Sequence, residues 1–82
     1  MRLDKFLKVS RIIKRRTVAN SVSELGRVTV NGNLAKPAKQ LKAGDIIEIE
    51  YANRVEKFEV LIVPSGNVSI QEAQTLYKII EE

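Results

Sequence analysis

Apolar side chains recur at Leu3, Phe6 and Leu7, and at about 100° per residue they share one arc of roughly 100°. Arg2, Lys5 and Lys8 fall on the opposite side, so residues 2–9 read as an amphipathic helix with a cationic outer face. Ile12 and Ile13 cannot both join that stripe, which places a turn between Arg11 and Arg16. Thr17 then stands as the N-cap of a second helix. Its apolar stripe is Val18, Val22 and Leu25, its polar back is Asn20, Ser21, Ser23 and Glu24, and Gly26 follows where a left-handed C-cap sits.

From Arg27 the period becomes two. Val28 and Val30 alternate with Arg27 and Thr29, and Asn31-Gly32 is a hairpin signal. Leu34 and Ala35 resume briefly, and Pro37 stops pairing nearby. After the turn at Lys42–Asp45, Ile47, Ile49 and Tyr51 alternate with Glu48 and Glu50. Phe58, Val60 and Ile62 form the inner side of a further strand, with Lys57 and Glu59 outside. Ser69 with Glu72 has the capping-box form and opens a last helix of about ten residues, apolar at Ile70, Ala73, Leu76, Tyr77 and Ile80. The expected order is α-α-β-β-β-α. The fold class is α+β: two N-terminal helices packed on a small, mainly antiparallel sheet, with a C-terminal helix.

A chain of 82 residues fits one domain with a small core, so 1–82 is read as a single unit. Its net charge of +4 hides a division. Residues 1–42 hold eleven Lys and Arg against Asp4 and Glu24, a net +9, whereas residues 43–82 carry a net −5. Chance partitioning of a solvated surface is the bland reading of that asymmetry; one face built for a polyanion, with the other facing water, is the sharper one. No run reaches the roughly 18 apolar residues of a membrane span, and the N-terminus lacks the unbroken apolar run of a signal peptide. The expectation is a cytoplasmic protein without membrane contact.

The chain contains no His and no Cys. Ser–His and Cys–His nucleophiles, zinc fingers and disulfides are therefore excluded. Ser10, Thr17 and Ser23 have no base to activate them, and the acids Glu48, Glu50, Glu56 and Glu59 read as solubilising strand side chains. The glycines are dispersed at turns and form no phosphate loop. No catalytic, cofactor-binding or metal-ligating residue is expected.

The basic surface is the one constellation above background. Arg2, Lys5 and Lys8 line a helix face; Arg11, Lys14, Arg15 and Arg16 follow; Arg27, Lys36, Lys39 and Lys42 come later. Lys14, Arg15 and Arg16 adjoin the positive end of the second helix, a natural seat for phosphate. Asp4 lies within this face, either pairing with Lys8 at i+4 or orienting Arg2 or Lys8. Phe6, Tyr51, Phe58 and Tyr77 sit at core-periodic positions, which disfavours base stacking and favours reading structured RNA by shape and phosphates. A general DNA- or RNA-binding chaperone remains open on composition, as does a protein-interaction module using the acidic half.

Arg2-Leu3-Asp4-Lys5-Phe6-Leu7, Lys14-Arg15-Arg16-Thr17-Val18-Ala19 and Gly26–Gly32, followed by Lys36-Pro37 and Gly44-Asp45, together resemble the RNA-binding domain named after ribosomal small-subunit protein four. The resemblance covers residues 1–50, leaving 51–82 as an additional strand and C-terminal helix. The chain is similar to short stand-alone members, and more to the ribosome-associated quality-control factors that stabilise P-site tRNA than to the ribosome-associated heat-shock branch, whose longer basic C-terminal extension is missing. The resemblance implies a factor that binds large ribosomal subunits blocked by peptidyl-tRNA; the expectation is a monomer and, with no nucleophile and base, not an enzyme. It would touch large-subunit rRNA and the tRNA while a protein partner adds a C-terminal tail to the stalled chain. It carries over RNA-facing roles to Arg2, Lys5, Arg15, Arg16 and Thr17, and to Asn31 and Lys36 beside them; Lys8, Arg11 and Lys14 join them through the basic surface.

Overall fold

Helix α1 spans Leu3–Val9 and buries Leu3, Phe6 and Leu7 completely while Arg2 and Lys8 stay exposed. The computed structural model describes residues 1–81, and of Arg16 the backbone alone. Seven residues are too few to hold a helix in water, so α1 depends on tertiary support. That support comes from the loop at 36–40: the Leu3 amide donates to the Lys39 carbonyl at 2.8 Å and the Asp4 amide to the Pro37 carbonyl at 3.1 Å. Amides that a helix start normally leaves orphaned are thereby satisfied. The chain turns after Val9 through Arg11, whose φ is +64°.

Helix α2 spans Arg16–Glu24 and starts two residues earlier than expected. Arg15 occupies the cap position without a side-chain cap bond, and Thr17 sits inside the first turn, where its carbonyl accepts from Ser21 Oγ at 2.9 Å. The expected stripe is also rotated. Ala19 and Ser23 are buried, Val22 is half-buried, and Val18 and Leu25 are 47% and 71% exposed. The small side chains let α2 approach the core closely. Ser23 enters without an unsatisfied hydroxyl because its Oγ donates to the Ala19 carbonyl at 2.9 Å. The helix ends as expected at Gly26, with φ +74°. The Gly26 and Arg27 amides close back on the Ser23 and Val22 carbonyls, the double bond of a Schellman motif.

Five strands follow: β1 Val28–Val30, β2 Asn33–Leu34, β3 Ile46–Glu50, β4 Val55–Val60 and β5 Tyr77–Ile80. The sheet order is β2-β1-β3-β4-β5 and every neighbouring pair is antiparallel. Asn31 and Gly32 both have positive φ, 55° and 85°, the two-residue turn their sequence announces. Val28, Val30, Ile47, Ile49, Phe58 and Val60 point inward and share one core with Leu3, Phe6, Leu7 and Ala19. The helices therefore cover one sheet face. On the other, Lys57 Nζ lies 3.7 Å from Glu48 Oε2 and Lys78 Nζ 3.5 Å from Glu59 Oε1, cross-strand pairs on a surface of mixed charge.

The C-terminal segment departs furthest from expectation. The capping box forms, with Ser69 Oγ accepting from the Glu72 amide at 3.1 Å, but α3 is only Ile70–Ala73. Bonds from the Thr75 amide and hydroxyl to the Glu72 carbonyl close the turn, and the chain enters β5. Ala73 and Leu76 are buried as expected, while Ile70 is 60% exposed. Tyr-Lys-Ile-Ile favours extended backbone, and pairing with β4 satisfies a strand that a continued helix would leave open. The Tyr77 ring meets Phe58 edge-on, centroids 5.5 Å apart. Ile62, expected inside, is half exposed because β4 ends at Val60, after which the Leu61 and Ile62 amides both donate to Leu76.

Tyr51 lies at the end of β3 with the Arg54 guanidinium 4.9 Å from its ring centroid. Burial, then the Glu56 carboxylate, push its phenol above the ordinary value, against the smaller opposing pull of Arg54. Above about pH 10 the unfolded chain loses this proton before the folded one does, so stability falls as pH rises through that range. In alkaline denaturant melts, wild type should lose stability more steeply above about pH 10 than Tyr51→Phe.

Candidate nucleic-acid interface

The exposed arc of α1 is narrow and cationic. Arg2, Lys5 and Lys8 follow one another at three-residue spacing, which keeps them on one side of the helix. Asp4, the one acid of this helix, is 2% exposed and offsets part of the charge of Arg2, with which it pairs, while Lys5 and Lys8 keep theirs. Its Oδ1 accepts from Arg2 Nε at 3.1 Å and from the Lys5 amide at 2.8 Å. Its Oδ2 accepts from Arg2 Nη2 at 3.2 Å and from Asn20 Nδ2, on α2, at 3.4 Å. A two-pronged contact fixes a guanidinium in orientation as well as position. Asp4 thus holds Arg2, one of the two orientations its sequence position allows, and ties the helices together at their basic edge. Asp4→Asn should cost about 1–2 kcal/mol, since hydrogen bonds to a charged acceptor are the stronger kind. A denaturant midpoint shift with unchanged m-value is the corresponding measurement.

Beyond α1, Arg11 and Lys14 occupy the turn and Arg15 the cap position of α2, all three exposed. Lys8, Arg11 and Lys14 line one cavity of about 140 Å³ together with Val9, Asn67 and Val68. The Arg16 side chain lies outside the described residues. Thr17 is exposed on the first turn of α2. Lys36 is exposed on the loop that caps α1, and the same loop brings in Lys39, which the helical pattern could not connect to Arg2. Asn31 is differently employed: its Nδ2 donates to Asp45 Oδ1 at 3.0 Å and its Oδ1 accepts from the Ile46 amide at 2.9 Å. Both ends of its amide brace the β1–β2 turn against the start of β3.

Sequence reasoning passed over two neutral residues in this region, Asn20 as a bridge to Asp4 and Asn67 in the cavity. Neither carries a charge or falls in a motif, so only the packing reveals them. Among the described residues no group of His, Cys, Asp and Glu is arranged to hold a metal ion, and no helix is long and apolar enough to cross a membrane.

Two short helices on an antiparallel sheet, with cations concentrated on the helical layer, define an RNA-binding protein of the S4 class, and residues 1–47 match the S4 domain. Over its whole length the chain is 50% identical to the RQC P-site tRNA stabilizing factor of Halalkalibacterium halodurans, spanning 92% of that protein, and 42% identical to the factor of the same name from Bacillus subtilis, spanning 94%. Heat shock protein 15 of Vibrio cholerae, solved as a trimer, superposes with a TM-score of 0.86 at 31% identity, over 98% of this chain and 81% of that one. The chain belongs to the family of RQC P-site tRNA stabilizing factors.

Proposed function

We propose that this protein binds rRNA and tRNA on large ribosomal subunits that retain a peptidyl-tRNA, and that it supports ribosome-associated quality control while a partner adds a C-terminal tail to the stalled chain. It acts by binding, as a cytoplasmic monomer, without catalysing a reaction of its own. The single domain 1–82 uses its first 50 residues for RNA and sets the acidic sheet away from it. The names of the relatives support the ribosomal context. The observation that carries the reading is the cationic band of exposed Arg2, Lys8, Arg11, Lys14 and Arg15 with half-buried Lys5 among them, in which Asp4 is buried and holds Arg2.

Arg16 and Thr17, on the first turn of α2, and Lys36, beside the start of α1, extend this band in the proposal. Asn31 contributes by fixing the turn next to it. The test is pull-down of the tagged protein with identification of RNA and protein. Large-subunit rRNA and tRNA should be enriched over small-subunit rRNA. Equal recovery of both subunits, or of duplex DNA in competition, would replace the reading with general nucleic-acid binding.

A further inference from the structure

Both helices end in the same way, with the residue after the C-cap in the left-handed region. At the end of α2 that residue is Gly26, the ordinary solution. At the end of α1 it is Arg11, with φ +64°, a conformation that residues other than Gly, Asn and Asp rarely adopt. A strained backbone at an arginine calls for a use of the side chain. Arg11 lines the cavity of about 140 Å³ with Lys8 and Lys14. Among the described residues none of these three cations meets a carboxylate. The far wall is Asn67 and Val68, from the loop after β4, well beyond the residues that match the S4 domain. Asn67 is exposed and its side-chain amide makes no hydrogen bond among the described residues, leaving a neutral donor available.

We infer that Lys8, Arg11, Lys14 and Asn67 form a seat for a single phosphate group, which in RNA is a backbone phosphodiester, closed by a segment outside the S4 domain. A liquid water takes up about 30 Å³, so the cavity holds a tetrahedral oxyanion with part of its hydration. Three exposed cations lining one cavity and an amide donor match its charge and its several acceptor oxygens. The cations also offset the carbonyl end of α1, which would otherwise repel an anion there. The footprint on RNA then runs along the Arg2–Lys5–Lys8 stripe and finishes in a built site. This inference rests on the function proposed above for its RNA source, but not for the phosphate chemistry.

Two variants test it. Arg11→Gly relieves the backbone, so its melting temperature should rise, while Asn67→Asp places a carboxylate among the three cations and should leave folding intact. In the wild-type protein, inorganic phosphate should produce saturable NMR shifts at the Asn67 side-chain amide and at Arg11 that chloride at equal ionic strength does not. Both variants should lose the phosphate response at residues 67 and 11, and their affinity for large subunits should fall about tenfold. Variants that take up phosphate and sediment with subunits like wild type overturn the inference. Loss of the phosphate response with unchanged subunit affinity overturns the RNA source in favour of a free phosphate or nucleotide. If wild type itself fails to sediment with subunits, the proposed function falls, and saturable phosphate shifts abolished in both variants still uphold the seat.

Discussion

Lys5→Glu combined with Arg15→Glu should lower affinity for large ribosomal subunits about 100-fold without harming the fold. Each reversal turns an attraction to a phosphate of about 1 kcal/mol at a wet interface into a repulsion of similar size. Two sites therefore lose about 4 kcal/mol before screening and about 3 after it, and 2.7 kcal/mol corresponds to 100-fold. Both substitutions fall at the N-terminal ends of helices, Lys5 in the first turn of α1 and Arg15 at the cap position of α2. Acids there are favoured by the helix dipole, so the melting temperature should hold or rise slightly. The log–log dependence of affinity on salt should become shallower by about 2 units, one for each phosphate contact removed. Co-sedimentation across a salt series reads both quantities. Unchanged affinity and slope would remove α1 and the α2 start from the interface.

Phe6→Ala should have the largest effect on stability, a loss of about 3–5 kcal/mol. Phe6 is fully buried and lies where α1 meets the sheet. An 82-residue domain has about 4–12 kcal/mol in total. The melting temperature should therefore fall by about 15–30 °C, and at the lower end of that stability range the variant does not fold. Leu25→Ala is the informative companion. The heptad-like stripe of α2 ranks Leu25 with the core, but its 71% exposure predicts a change within about 0.5 kcal/mol. Thermal melts of the two variants decide between the pattern and the packing.

That contrast shows how far the pattern carries. The α1 stripe was legible because Leu3, Phe6 and Leu7 are large and lie on one arc. The Asn31-Gly32 turn and the Gly26 cap were legible because positive φ restricts residue choice so strongly. The face of α2 was not, since Ala19 and Ser23 carry little hydrophobic signal and are buried for their small size. Nor was β5, because Tyr77, Leu76 and Ile80 fit a helical repeat after a genuine capping box. The choice between helix and strand there is made by the edge of β4, a partner some twenty residues away in sequence. In the candidate interface, charge and helical spacing together singled out Arg2, Lys5 and Lys8. The buried Asp4 that holds Arg2, the loop that brings Lys39 to α1, and Asn67 opposite Arg11 all depend on contacts between distant segments.

The capping of α1 by the loop at 36–40 has a consequence for the order of folding. The Leu41 amide donates to the Met1 carbonyl at 3.0 Å, and Arg2 bridges Gln40, so the first residues are locked by the fortieth. A seven-residue helix cannot persist before that closure. During synthesis the N-terminal cations therefore emerge as a pliant basic string, able to attach to any nucleic acid through charge alone. Their fixed spacing arises only when the chain has grown past Leu41 and the ends of this long loop meet, at a closure entropy that rises slowly with its length. The fixed arrangement of these cations is thus acquired late in folding, and a destabilised variant would present the same charges without it.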